Sequence, residues 1–244
     1  CVSKRKEKKH SKYAESNAHL KEVYASLLKK YKDIETYSDW EKDTIEVNKI
    51  TLVDNGVHAS RKKPQVLQTI QYLSNNADHV IIQTPYVICN GYMYDVLQQI
   101  SDHAKLQIVL NAVEKGSNPW GCTDYLNQKK KILKTGADVY ELMNEYPVHT
   151  KAVLIDERLS VVGSYNLDMR STYLDTELML VIDSEKLNQQ IRATESDYME
   201  KSKEVLANGH ETEGAKYKKK ILNRQKKIYY SVLRLLIRPL RQLL

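Results

Sequence analysis

VHTKAVLIDERLSVVGSYNLDMRST, residues 148–172, decides how the rest of the chain is read. Two runs rich in β-branched residues, VHTKAVLI (148–155) and LSVVG (159–163), flank a short turn at Asp156, which predicts a hairpin. Side chains two apart on a strand share a face, so His149 and Lys151 are expected to project side by side. Asp156 follows Lys151 after four residues; six more lead to Gly163-Ser164, one residue, then Asn166. An imidazole beside a fixed ammonium suits attack on a phosphodiester. The ammonium offsets charge on the non-bridging oxygens while the imidazole attacks phosphorus. A tight strand end at Gly163 can bring Ser164 and Asn166 to the same place as further hydrogen-bond donors. The other His-x-Lys pairs, at His10, His19 and His103, lack both the aspartate five residues past the lysine and the GSxN that follows.

Outward from this segment, strand and helix alternate. Residues 47–53 read as a strand ending at the turn Asp54-Asn55-Gly56, and Pro64 suits the first turn of a helix reaching Leu73. HVIIQT (79–84), KLQIVL (105–110) and residues 137–141 read as strands, with helices at 91–100 and 123–133 between them and Gly136 ending the second. TELMLVI (176–182) reads as a strand, and a helix is expected from Ser184 to about Ala207. This alternation predicts an α/β fold, a layered α/β/α sandwich whose sheet the hairpin makes mixed. Helical spacing of apolar residues between 16 and 34 predicts an amphipathic helix ahead of it. The expected division is a helical or linker segment (1–46), a catalytic half-domain (47–207), and a linker with a basic tail (208–244).

With 244 residues, 41% hydrophobic and 28% charged, the chain has a globular composition, and its net charge of +7 favours anionic partners. Nucleic acid, an acidic membrane surface and a phosphate substrate all satisfy that charge. Cys1, Cys89 and Cys122 form no CxxC pair, which argues against a disulfide framework and a zinc site. A first residue of Cys1 rather than Met is expected either from a lipid-modified amino-terminal cysteine or from a fragment boundary. The chain has 17 Tyr and no Phe, so some hydroxyls are expected where a plain ring would pack.

The central segment resembles the HxKx4Dx6GSxN motif of the phospholipase D superfamily at every defining position. The extension NLDMRS (166–171) with Leu174-Asp175-Thr176-Glu177 resembles the second motif of bacterial cardiolipin synthases, which usually carry Asn where Asp175 stands. QTPYVICN (83–90), LQIVLNA (106–112) and GADVYEL (136–142) extend the resemblance to about residues 50–183. It implies a phospholipase D-like fold and a two-step displacement shared by two copies of the motif, with no metal or other cofactor. One histidine forms a phosphohistidine; the other protonates the leaving alcohol and activates the incoming one. His149, Lys151 and Asp156 correspond to the catalytic set, Asp156 supporting the fold around the site rather than touching substrate. Ser164 and Asn166 are expected to face the phosphate, and Glu177 to orient a histidine ring.

The resemblance further implies an anionic phospholipid substrate, a peripheral or interfacial place on a bacterial cell membrane, and a second motif-bearing half. That half is either an upstream segment, which the cardiolipin-synthase character favours, or a second copy of the chain. The leading expectation is a phosphatidyltransferase. Water as acceptor would make it a phospholipase D, a dimer acting on DNA a nuclease, and a silent site a membrane-docking half. The apolar tail and the DMRS extension disfavour nucleic acid as partner. In that tail, residues 216–244, Arg234, Arg238 and Arg241 form one helical stripe among leucines and valine, a run too short to span a bilayer. It predicts an amphipathic helix lying on anionic lipid, with Lys218–Lys220, Lys226 and Lys227 adding attraction; packing on the chain's own domain or on the missing half is the other reading.

Overall fold

The computed structural model describes residues 2–32, 35–57 and 63–243. Cys1 and the side chains of the charged run after it lie outside this description. Two compact units divide the chain, Cys1–Ile45 and Glu46–Leu244. The first holds a long helix, α1 (Val2–Lys30), which begins well before the apolar periodicity does, and a 3₁₀ turn at Trp40–Asp43. Leu20 and Tyr24 are exposed on α1, and the Tyr24 hydroxyl donates to the Glu35 carboxylate.

The second unit is built on β1 (Lys49–Asp54), α2 (Gln65–Ser74), β2 (His79–Gln83), α3 (Gly91–Ser101), β3 (Lys105–Asn111), α4 (Pro119–Lys134), β4 (Asp138–Leu142), β5 (Ala152–Ile155), β6 (Leu159–Gly163), α5 (Met169–Tyr173), β7 (Leu178–Asp183) and α6 (Glu185–Glu200). β8 (Ser202–Val205), β9 (Glu211–Glu213), α7 (Arg224–Leu236) and a 3₁₀ turn (Arg238–Leu243) complete it. The strands form a single sheet in the order β1-β7-β6-β5-β2-β3-β4-β8-β9. β2, β3 and β4 run parallel, and every other neighbouring pair is antiparallel. The α/β layering and the mixed sheet are therefore as expected.

Both faces of the sheet are covered. Val66, Leu67 and Ile70 of α2, Met93, Val96, Leu97 and Ile100 of α3, and Tyr125 and Ile132 of α4 pack on Val80, Ile82, Leu106, Ile108, Val153 and Val161. Residues one step along the same strands, Ile81, Val109 and Leu154, face the other way toward Ile191, Tyr198 and Met199 of α6. The central strands are thus mostly apolar on both sides, which explains their near-continuous hydrophobic runs. Buried tyrosine hydroxyls find partners: Tyr125 donates to Glu141 at 2.9 Å, and Tyr165 meets Thr172 Oγ1 at 2.7 Å.

Three expectations need correction. α6 stops at Glu200 rather than continuing to Ala207, because the chain turns at Lys201 and Ser202–Val205 pairs with β4. Glu211–Glu213 then pairs with β8, so part of the expected linker is strand. Two of the tail's three striped arginines turn inward, and Arg238 stays exposed: Arg241 binds both Asp124 oxygens at 2.6 and 2.9 Å, and Arg234 donates to Asn127 Oδ1 at 3.1 Å. A guanidinium fork matches a buried carboxylate far better than it matches water-exposed space beside leucines, and Asp124 is wholly buried.

Candidate active site

Parallel strands bring their carboxyl ends to one edge of a sheet, and that edge is where ligands bind in open α/β folds. Here Gln83 ends β2 and pairs with Ala152, so β5 begins at this edge, and Val162 of β6 returns to it beside Ala152. The strand expected at 148–155 is correspondingly shorter. β2 leaves the sheet at Thr84-Pro85, Pro85 has no N–H to offer, and residues 148–151 therefore have no partner on the β2 side, while on the β6 side the Lys151 carbonyl accepts from Gly163 N–H at 3.3 Å.

A side chain replaces the missing ladder. Asn111, buried at the end of β3, donates to the Val148 carbonyl at 2.7 Å and accepts from the Val148 N–H at 2.8 Å. These two bonds fix the backbone immediately before His149. The imidazole is open to solvent, and the Lys151 ammonium reaches it from the buried side, 2.7 Å from Nδ1 and 3.1 Å from Nε2. Lys151 also donates to the His149 carbonyl at 2.8 Å and is 8% exposed. Partial desolvation and then the Lys151 charge push the His149 pKa down. Both effects favour the uncharged ring. Burial also pushes Lys151 down, while Glu177 and Asp168 pull it back toward the charged form.

The loop after β6 supplies those carboxylates. Gly163 is required there, since a Cβ would collide with the Leu178 carbonyl oxygen and with Met179. Ser164 follows, donating its hydroxyl to Glu177 and accepting from Leu178 N–H at 3.0 Å. Asn166 donates to Ser171 Oγ at 3.4 Å, and its carbonyl oxygen is buried without a partner. The loop is tied down by Leu167 N–H on Thr84 Oγ1 at 3.2 Å and Ile88 N–H on the Leu167 carbonyl at 3.0 Å.

His149, Lys151, Ser164, Asn166 and Glu177 are thus gathered at one edge. Asp156 is not. It lies at the far end of β5, about 13 Å of strand away, with φ +47, and its Oδ1 accepts from the Asp78 and His79 N–H groups at 3.0 Å. It pins the hairpin turn to the start of β2. Glu177, expected to orient a histidine ring, takes the Ser164 hydroxyl and sits beside Lys151 in this half of the site. It is buried just ahead of β7 rather than opening that strand.

Two more residues join this set, one of which sequence reasoning missed. Asp168 is 2% exposed, caps α5 through Ser171 N–H at 2.6 Å, and is pushed up from 3.8 to about 6, first by burial. Arg170, two residues on, pairs with Asp175 at 2.9 Å. Asn111 is the other; a polar residue closing the apolar run LQIVLNA was the available signal. Tyr86 lines the rim, packed on Gly121 at the start of α4 and hydrogen-bonded to Asn118, with burial and Asp168 raising its phenol pKa.

Similarity to known proteins follows the same outline. Cardiolipin synthase A of Klebsiella pneumoniae is 31% identical over 144 residues, covering 57% of this chain and 28% of that protein. Cardiolipin synthase A of Buchnera aphidicola is 28% identical over 141 residues with the same coverage. The chain thus matches only about a quarter of these relatives' length. Among solved structures, phosphatidylserine synthase of Haemophilus influenzae superposes with a TM-score of 0.58 at 15% identity, over 81% of this chain and 48% of that one. The phospholipase D family member Nuc of Salmonella typhimurium gives 0.51 at 14%, over 68% and 99%. At such identities these two show the fold. Residues 69–197, more than half of the chain and the stretch that carries the site, match the family described as cardiolipin synthase, phospholipase D-like domain, and the chain belongs to that family of phosphodiester-transferring enzymes.

Proposed function

We propose that this chain supplies one half of a phosphatidyl-transfer site that exchanges the alcohol on a phospholipid phosphodiester, as a cardiolipin synthase does. The observation that carries the reading is the contact between the His149 ring and the Lys151 ammonium at an open sheet edge, 2.7 to 3.1 Å apart. The other half comes from an upstream segment or a second copy, and the site works at the surface of a bacterial membrane.

In the first step an uncharged His149 ring nitrogen attacks phosphorus. A P–N bond forms, the P–O bond to the headgroup alcohol breaks, and the second half's histidine protonates the departing oxygen. Lys151 offsets charge on the non-bridging oxygens, and Asn166 and Ser164 donate to them once the Ser164 hydroxyl swings from Glu177. In the second step the incoming alcohol gives its proton to that same histidine and attacks, and the P–N bond breaks. His149, Lys151, Ser164 and Asn166 act on the phosphate in this account. Glu177 and Asp168 keep Lys151 charged, and Asp156 and Asn111 position.

The test joins this chain with a motif-bearing upstream half and supplies phosphatidylglycerol. The expected result is lipid product and a trapped, acid-labile phosphatidyl adduct at His149, detected by mass spectrometry. His149→Ala should remove the adduct and lower turnover by about 10⁴-fold or more. Cleavage of DNA with no lipid turnover, or full activity in His149→Ala, would overturn the proposal.

A further inference from the structure

The tail presents apolar side chains on two opposite faces, although a helix needs only one such stripe to pack on a domain. Tyr230 and Leu233 of α7, and Ile237 just beyond it, turn inward and are buried. Ile228, Val232 and Leu235 recur at i, i+4 and i+7 on the outer side and are 51–67% exposed, with Leu236 and Leu240 beside them. Among the described residues this second ridge is left uncovered.

Its attitude is fixed. Arg241 and Arg234 fasten the segment to Asp124 and Asn127 of α4. The 3₁₀ turn Arg238–Leu243 also packs on α5, the helix capped by Asp168 of the candidate site. The outer ridge is therefore held rigidly with respect to the site rather than hung from a linker.

Its charge is one-sided. From Gly214 to Leu244 there is no acidic residue, and Lys218, Lys219, Lys220, Lys226 and Lys227 are all exposed. A second copy of a chain with net charge +7 would bring like charge to this face. An anionic bilayer offers both a negative surface and an apolar boundary layer below it. Among the described residues no helix is long and apolar enough to cross a membrane.

We propose that α7 and the turn after it seat this unit on an anionic bilayer, the outer ridge entering the interface and the inward arginines holding the candidate site at a set attitude to the lipid. The inference rests on the proposed function only in taking the site's substrate to be a phospholipid.

Flotation of the full chain with vesicles of phosphatidylcholine, alone or mixed with phosphatidylglycerol, tests it. The chain should float with the mixed vesicles and not with the neutral ones. The double variant Val232→Gln/Leu235→Gln should lower the partition coefficient at least about tenfold, with an unchanged thermal melt because both positions are exposed. His149→Ala should float like the parent. Equal flotation of the double variant, equal binding to neutral vesicles, or self-association that the double variant abolishes without any vesicle binding would each overturn the inference. Absent lipid turnover with flotation intact would instead sink the proposed function and leave the membrane seat standing.

Discussion

Asp168→Asn separates the electrostatics of the site from its architecture. Asparagine caps a helix as well as aspartate, so the bond to Ser171 N–H and the start of α5 should survive. What the change removes is a carboxylate that burial pushes from 3.8 to about 6. Between those values the folded protein holds a proton at Asp168 that the unfolded chain has released. The folded state therefore binds more protons, and stability falls as pH rises from about 4 to about 6, by about 3 kcal/mol. The asparagine variant should lack that loss, so it should gain on the parent across the window and hold a constant advantage above it. Urea unfolding at pH 4, 5, 6 and 7 on both proteins isolates the difference from every other titrating group. The same substitution removes one of the two carboxylates that raise Lys151, so the alkaline limb of activity should move to lower pH. Stability curves that stay parallel from pH 4 to 7 would refute the reasoning, because they would mean Asp168 is ionised in the folded protein throughout.

Glu195 offers a second, larger window away from the site. It is 1% exposed on α6 with Oε2 unpartnered, and burial raises it from 4.5 to about 8. Stability should drop as pH climbs through that range by a quantity on the order of 5 kcal/mol, and Glu195→Gln should flatten the drop, read by chemical denaturation at pH 5 and pH 9. Asn111→Ala leaves the Val148 N–H and carbonyl without their partner, a cost of about 1–3 kcal/mol. It should lower kcat more than it changes KM, with Asn111→Asp, which keeps the bond from Val148 N–H, recovering part of the loss. Gly163→Ala drives a methyl group into the Leu178 carbonyl and should destabilise by about 3 kcal/mol or more in thermal melts, strand spacing leaving no room to yield.

The layering was readable because each element announces itself locally. Central strands buried on both faces must be mostly apolar, as VII (80–82) and IVL (108–110) are, and the buried Gln107 between them is held by His79 and Tyr140. Asn90 and Ser184 cap their helices with side chains visible as Asn or Ser ahead of an apolar period, whereas Asn118 caps α4, which begins four residues before the expected start at 123. The site residues were legible for a related reason, since the spacing from His149 to Asn166 is a hairpin's length, and a hairpin returns its two ends to the same edge. Asp156 falls at the turn of that hairpin, so the very spacing that gathers the others sends it to the opposite end.

The remainder was set by contacts between segments far apart in the chain, which no local pattern encodes. Asn111 meets Val148 across 37 residues, and Arg241 meets Asp124 across 117. α6 was expected to run on because its last turn keeps helical polarity; it stops because β4 would otherwise leave an edge beside Lys201, and Ser202–Val205 satisfies it. The arginine stripe of the tail was read toward lipid because its partner, a wholly buried aspartate in mid-helix, looks in sequence like any polar residue of α4. Once Asp124 is seen to claim Arg241, the logic of the tail inverts. The arginines are the fastening, and the leucines facing solvent are what the fastening presents.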